Sequence, residues 1–170
     1  AAVAFMQRYA EILLNRKFKT VITSGGGYPL DKTYYQTVKG MVGAMGLLEN
    51  GGDIIIFSEC SEGMGSPEYV EAQRQLIKLG VDGFLRSILP KPRAAIDAWQ
   101  TEMQLKPMRI GKIHLFSGAL SEAEKLLTGV QCAGEGISPL DFILGICDPS
   151  GRSIAIIPEG PYVIPRYAED

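Results

Sequence analysis

Apolar residues recur at Val3, Phe5, Met6, Tyr9, Ile12 and Leu13, mostly three or four apart, which predicts an amphipathic helix over residues 1–15. Residues 18–23 are a short β-rich run that ends in Ser24 and the triplet Gly25, Gly26, Gly27. Over residues 30–48 the period returns to that of a helix, with Leu30, Tyr34, Val38, Met41, Met45 and Leu48 apolar. Residues 53–57 read DIIIF, a continuous apolar run of the kind found in a parallel strand covered on both faces.

Ser66 and Pro67 read as an N-cap followed by proline at the first helical position, opening a helix that Gly80 stops near Leu79. A shorter helical piece covers 81–89, and a further helix is predicted over 93–104 with Ile96, Trp99 and Met103 on one face. Residues 113–116 and 129–132 read as strands, separated by a helix whose capping box is Ser121 and Glu124. Ser138 and Pro139 open a last helix, a turn is predicted at 148–151, a strand at 153–157, and an extended tail from Pro158. Pro-Leu-Asp occurs at 29–31 and 139–141, a recurring helix start.

Strands that alternate with helices, with polar glycine-bearing loops after the strands, predict an α/β domain. The expected architecture is a three-layer, Rossmann-like fold with a mostly parallel sheet flanked by helices. Ligands of such sheets sit at the carboxyl ends of the strands, where the loops at Gly25, Ser58, Ser117 and Ala133 would gather.

Composition narrows the classes. At 170 residues and 46% hydrophobic content, the chain is read as a single domain over 1–170 that can bury a core without staples. A net charge of −2 and no basic run leave no footprint for nucleic acid or an anionic membrane, so a small partner is expected. Cys60, Cys132 and Cys147 are odd in number and set among apolar residues, which reads as reduced thiols of a cytoplasmic protein. No apolar run approaches the roughly 20 residues that span a bilayer. The abrupt helical start suggests a natural start further upstream.

The candidate chemistry gathers after the first strand. Residues 26–33 have the spacing of a phosphate loop, but Asp31 stands where that loop needs glycine and would set a carboxylate against the phosphate. Gly63 and Gly65 lack the third glycine of the dinucleotide fingerprint, so no NAD site is expected. Tyr35, Gln36 and Lys39 fall within about one quadrant of the helix that follows. Either they grip a carboxylate and a neighbouring hydroxyl, or they are a solvated flank with an aromatic lid. Trp99 and the methionines Met41 and Met45 read as core. His114, between Ile113 and Leu115, reads as a hydrogen-bonded sheet residue. Glu59, Glu62 and Glu68 read as loop solvation and helix N-terminal charge, and no metal-ligand spacing is present.

The stretch TSGGGYPLDKTYYQTVKG, the SECSEGMGS loop, Trp99-Gln100 and the closing IIPEGPYVIP together resemble the carboxyl-terminal domain of the nickel-dependent lactate racemase family. The resemblance implies a two-domain enzyme whose nickel pincer nucleotide takes a hydride from C2 of a 2-hydroxy acid and returns it to either face. It implies that Tyr35, Gln36, Lys39 and Trp99 lie on the substrate side of the cleft, with Gly25, Gly26 and Gly27 as cleft loop. The metal-binding, cofactor-tethering and acid-base residues belong to the amino-terminal domain, the implied partner, so this chain alone is expected to hold no catalytic residue, no cofactor and no metal, and to be inactive. The alternative is a non-catalytic α/β domain that binds a small anion or another protein.

Overall fold

The computed structural model describes residues 2–147 and 153–168. Five parallel strands form the central sheet: β2 (Phe18–Ser24), β3 (Leu48–Phe57), β4 (Lys112–Phe116), β5 (Gln131–Cys132) and β6 (Ile154–Ile157). Their spatial order is β5-β4-β3-β2-β6. Alternate residues of each strand face opposite ways, and both faces are covered. Val21, Ile54, Ile56, Ile113 and Leu115 pack with Tyr34, Val38, Met41 and Tyr69. These last come from α2 (Tyr34–Ala44) and α3 (Pro67–Ile88). On the other face Ile22, Ile55, Phe57 and Phe116 meet Phe142, Ile143 and Ile146 of α6 (Pro139–Ile146). The three-layer parallel α/β fold is therefore present as the alternation of elements predicts.

The local signals hold where a single side chain sets them. Ser66 caps α3 behind Pro67, and Gly80 breaks that helix with φ 69 and ψ 173. Ser121 and Glu124 form the capping box of α5 (Glu122–Leu127), and Ser138 caps α6. His114 accepts its sheet role, with Nε2 2.8 Å from Asp53 Oδ1. Met41 is fully buried, as expected of a core residue, whereas Met45 is only partly so.

Several elements differ from expectation; the helix expected over 30–48 is α2, which starts behind the Thr33 cap, and Leu48 already begins β3. The first helix, α1 (Ala2–Ala10), is shorter than expected, and Glu11–Leu14 is instead β1, paired in parallel with β7 (Ile164–Tyr167). A partner strand more than 150 residues away in the chain overrides the local helical period. The tail is accordingly not extended throughout: Gly160–Tyr162 makes a 3-10 turn before β7. The helix predicted over 93–104 is α4 (Ala98–Ile110), five residues later. Asp97 precedes it in the left-handed region, which fixes the later start. The turn expected at 148–151 lies outside the described residues.

Candidate functional site

Helix α2 is docked so closely on the end of β2 that only glycine fits at Gly40, where a Cβ would stand 2.4 Å from the Ser24 carbonyl oxygen. Thr33 caps the helix, its side chain accepting from the Gln36 backbone N–H. These two constraints set the angle at which Tyr35, Gln36 and Lys39 leave the scaffold.

Tyr35 and Trp99, more than 60 residues apart in sequence, are brought together. Their rings meet edge to face at 6.0 Å and 89°, and Tyr69 packs against the Tyr35 ring at 5.1 Å and 80°. Trp99 is 48% exposed, so its expected place in the core is corrected. The buried side of α4 includes Ala98, Gln100, Thr101, Gln104 and Leu105, and the amide nitrogens of both glutamines find partners there. Gln100 Nε2 donates to the Tyr35 carbonyl at 2.7 Å, and Gln104 Nε2 donates to the Thr128 carbonyl at 2.6 Å.

Tyr35 lines an open cleft of about 480 Å³ together with Thr33, Glu62, Gly65, Ser66 and Asp97. Burial, the nearby Asp97 charge and a hydrogen bond to Asp97 together hold the Tyr35 phenol above its ordinary pKa. Glu62 is ion-paired with Lys32. Gln36 is half-buried, and its Oε1 is enclosed with no hydrogen-bond partner among the described residues. The Lys39 side chain is exposed and makes no hydrogen bond or ion pair among the described residues.

The glycine loop faces a different cleft. Gly26 and Gly27, both at positive φ, line a crevice of about 540 Å³ at the carboxyl ends of the strands with Ser24, Asp31, Ser58 and Glu59. Gly25 is at the back of it, where a Cβ would lie 2.7 Å from Ser58 Oγ and 2.8 Å from Asp31 Cβ. Asp31 Oδ2 accepts from the Glu59 N–H at 3.1 Å and so ties the first loop to the second. Two carboxylates facing this crevice oppose the binding of an anion there. The glycines line one opening, Tyr35 a second, and Trp99 a third between α3 and α4.

Among the described residues no group of three or more His, Cys, Asp or Glu side chains is placed to hold a metal ion. No helix is long and apolar enough to cross a membrane among the same residues. Asp97 was hidden in the sequence by the helical period that ran through it from residue 93. The signal for it is the Asp-Ala-Trp order, an N-cap residue type two positions before the tryptophan.

Comparison with known proteins gives this geometry its relatives. A crystal structure of a protein from Thermotoga maritima matches at a TM-score of 0.61 with 13% identity, covering 98% of this chain and 41% of that one, which speaks for the fold alone. The structure of the lactate racemase apoprotein from Thermoanaerobacterium thermosaccharolyticum matches at a TM-score of 0.80 with 26% identity, covering 96% of this chain and 39% of that one. In sequence the curated lactate racemase of that organism is 28% identical over 151 residues, 86% of this chain. The chain spans about a third of that relative, 34% of its length. The profile described as "Lactate racemase C-terminal domain" matches residues 14–133, most of the chain, which therefore belongs to the lactate racemase C-terminal domain family.

Proposed function

We propose that this chain is the substrate-side domain of a nickel-pincer-nucleotide-dependent 2-hydroxy-acid racemase or epimerase, and that an amino-terminal domain of the same polypeptide closes over it. The observation that carries the proposal is the flank of α2. It holds an exposed ammonium, Lys39, without a partner among the described residues, beside a tyrosine ring fixed edge-on to a half-exposed tryptophan.

In this reading Lys39 binds the substrate carboxylate through a charge-assisted hydrogen bond, the strongest single contact the flank offers. Gln36 Nε2 donates to the neighbouring oxygen, which is a hydroxyl in the substrate and a carbonyl in the planar 2-keto acid. Tyr35 lines the cleft, with the Trp99 ring packed edge-on against it, and helps to exclude water from C2. The bound cofactor supplies the acceptor and donor of the C2 hydride. In this reading the nickel ligands and the acid-base groups belong to the amino-terminal domain. This chain on its own is then inactive, and its work is to orient the substrate while hydride leaves and returns.

The full-length, cofactor-loaded protein is to be incubated with single enantiomers of a panel of 2-hydroxy acids, and the opposite enantiomer assayed. Appearance of that enantiomer for at least one acid is the expected result. Loaded protein that interconverts none of them overturns the reading.

A further inference from the structure

Helix α1 carries apolar side chains that none of the described residues covers. Of residues 2–10 only Ala10 is buried, while Val3, Phe5, Met6 and Tyr9 are all exposed. A free helix of nine residues is marginal in water, because the cost of its first turn is spread over too few hydrogen bonds. The exposure continues into β1, where Ile12 and Leu13 are exposed in a ribbon of two strands that stands apart from the central sheet. Between that ribbon and β6, an edge strand of the sheet, lies an apolar groove of about 370 Å³ whose lining includes Ile12, Leu14, Leu47, Ile156, Val163 and Pro165.

Charge narrows what fits this surface. Residues 2–14 hold one cation, Arg8, and one anion, Glu11, and Glu11 is ion-paired with Arg166 of β7 at 2.8 Å. A surface so nearly neutral attracts neither an anionic membrane nor nucleic acid, and it suits an apolar protein face. The profile of the C-terminal domain begins at residue 14, so α1 and most of β1 lie before it. The chain spans 34% of the curated relative, so most of such a protein lies outside it. An amino-terminal domain of the same polypeptide is tethered through α1 and meets this surface at an effective concentration on the order of millimolar. A second copy of the chain has no such advantage.

We propose that the apolar face of α1, continued by Leu13 and the groove beside β1, is the seat on which the amino-terminal domain docks through an apolar surface of its own. The inference rests on the reading above, in which such a domain belongs to the same polypeptide. The groove shares no residue with the Tyr35 cleft, so a domain anchored here leaves that cleft free to admit substrate.

The test is hydrogen exchange, followed by mass spectrometry, on the full-length loaded protein as wild type, Phe5→Asp and Leu13→Asp. These side chains are 60% and 64% exposed in this chain, so the domain itself loses little by either change. In the wild type the amides of residues 6–10 are expected to exchange about a hundredfold or more slower than in an unfolded chain. Each substitution should lower that protection roughly tenfold or more, because docking then buries an unpaired carboxylate. The amides of α2 should keep theirs. Wild-type residues 6–10 that exchange as fast as an unfolded chain overturn the proposal whatever the variants do, and so does protection that survives both substitutions. Protection that falls on dilution, or a mass in solution that Phe5→Asp halves, gives the surface to a second copy and overturns it as well. Exchange needs no activity, so a protein that racemises no hydroxy acid defeats the functional reading while the docking is still decided.

Discussion

Replacing Gly40 by alanine places a methyl group where it would stand 2.4 Å from the Ser24 carbonyl oxygen and 2.9 Å from Ile56 Cδ1. The isoleucine tip can turn aside, but the carbonyl belongs to β2 and is fixed by the sheet. Helix α2 must therefore lift by roughly half an ångström, the tolerance within which a site of this kind keeps its productive geometry. Overpacking of a tight interior costs about 1–3 kcal/mol. Alanine regains about 1 kcal/mol of helix propensity over glycine, so the net loss is expected at about 0–2 kcal/mol against wild type and about 1–3 kcal/mol against a control that regains propensity without the clash. The same lift carries Tyr35, Gln36 and Lys39 away from the place proposed for the substrate. Misplacement by about 1 Å costs on the order of a hundredfold in rate, so about half of that displacement predicts roughly a tenfold fall in kcat/KM.

The assay pairs thermal unfolding with hydroxy-acid racemisation in the full-length enzyme. Gly145→Ala is the control, since nothing lies within 4 Å of a Cβ at that position in α6. The control should be as stable as wild type or slightly more so. Gly40→Ala with the stability and activity of Gly145→Ala would refute the claim that α2 is seated by contact with β2.

Tyr34→Phe removes a buried hydroxyl that donates to the Thr128 carbonyl at 2.9 Å, yet that carbonyl keeps its bond from Gln104 Nε2 at 2.6 Å. No acceptor is orphaned, so denaturant titration should find a loss of about 1 kcal/mol or less. Ser121→Ala removes the cap of α5 and should cost about 0.5–2 kcal/mol near neutral pH. The Ser121 hydroxyl, and after it the Ser121 backbone N–H, hold Glu124 below its ordinary pKa. A depressed acid contributes stability above its unfolded value of about 4.3 that is lost as pH falls through the folded value. The gap between wild type and Ser121→Ala should therefore narrow on acidification below about pH 4, and a gap independent of pH contradicts this assignment.

Much of the fold is legible because its signals are local. DIIIF of β3, the Ser-Pro starts of α3 and α6, the Ser121–Glu124 box and the Gly80 break each act within a few residues, and each stands where the sequence puts it. Residues 11–14 could not be read that way. Their strand exists only because Ile164–Tyr167 comes alongside, and Ile12 and Leu13 fit a helical period equally well. Trp99 misleads for a related reason. Its spacing from Ile96 and Met103 suggests a buried face, but α4 buries an amide stripe whose partners on α2 and α3 are set by tertiary contact. At the site, the placement of Tyr35, Gln36 and Lys39 on one helix was visible in their spacing. The Asp97–Ser66 bond was not, since it joins the cap of α3 to the start of α4 through side chains that are individually unremarkable in sequence.

The central claim is that the α2 flank grips the substrate, with the Lys39 ammonium as its principal contact. Its most direct test is the kcat/KM of Lys39→Ala against that of Gln36→Ala in the full-length, cofactor-loaded enzyme. A hydrogen bond to a charged group is worth about 1.5–3 kcal/mol and a neutral one about 1 kcal/mol. Lys39→Ala is therefore expected to lose roughly 10- to 150-fold, and Gln36→Ala roughly fivefold. Lys39→Ala with kcat/KM near wild type would contradict the account.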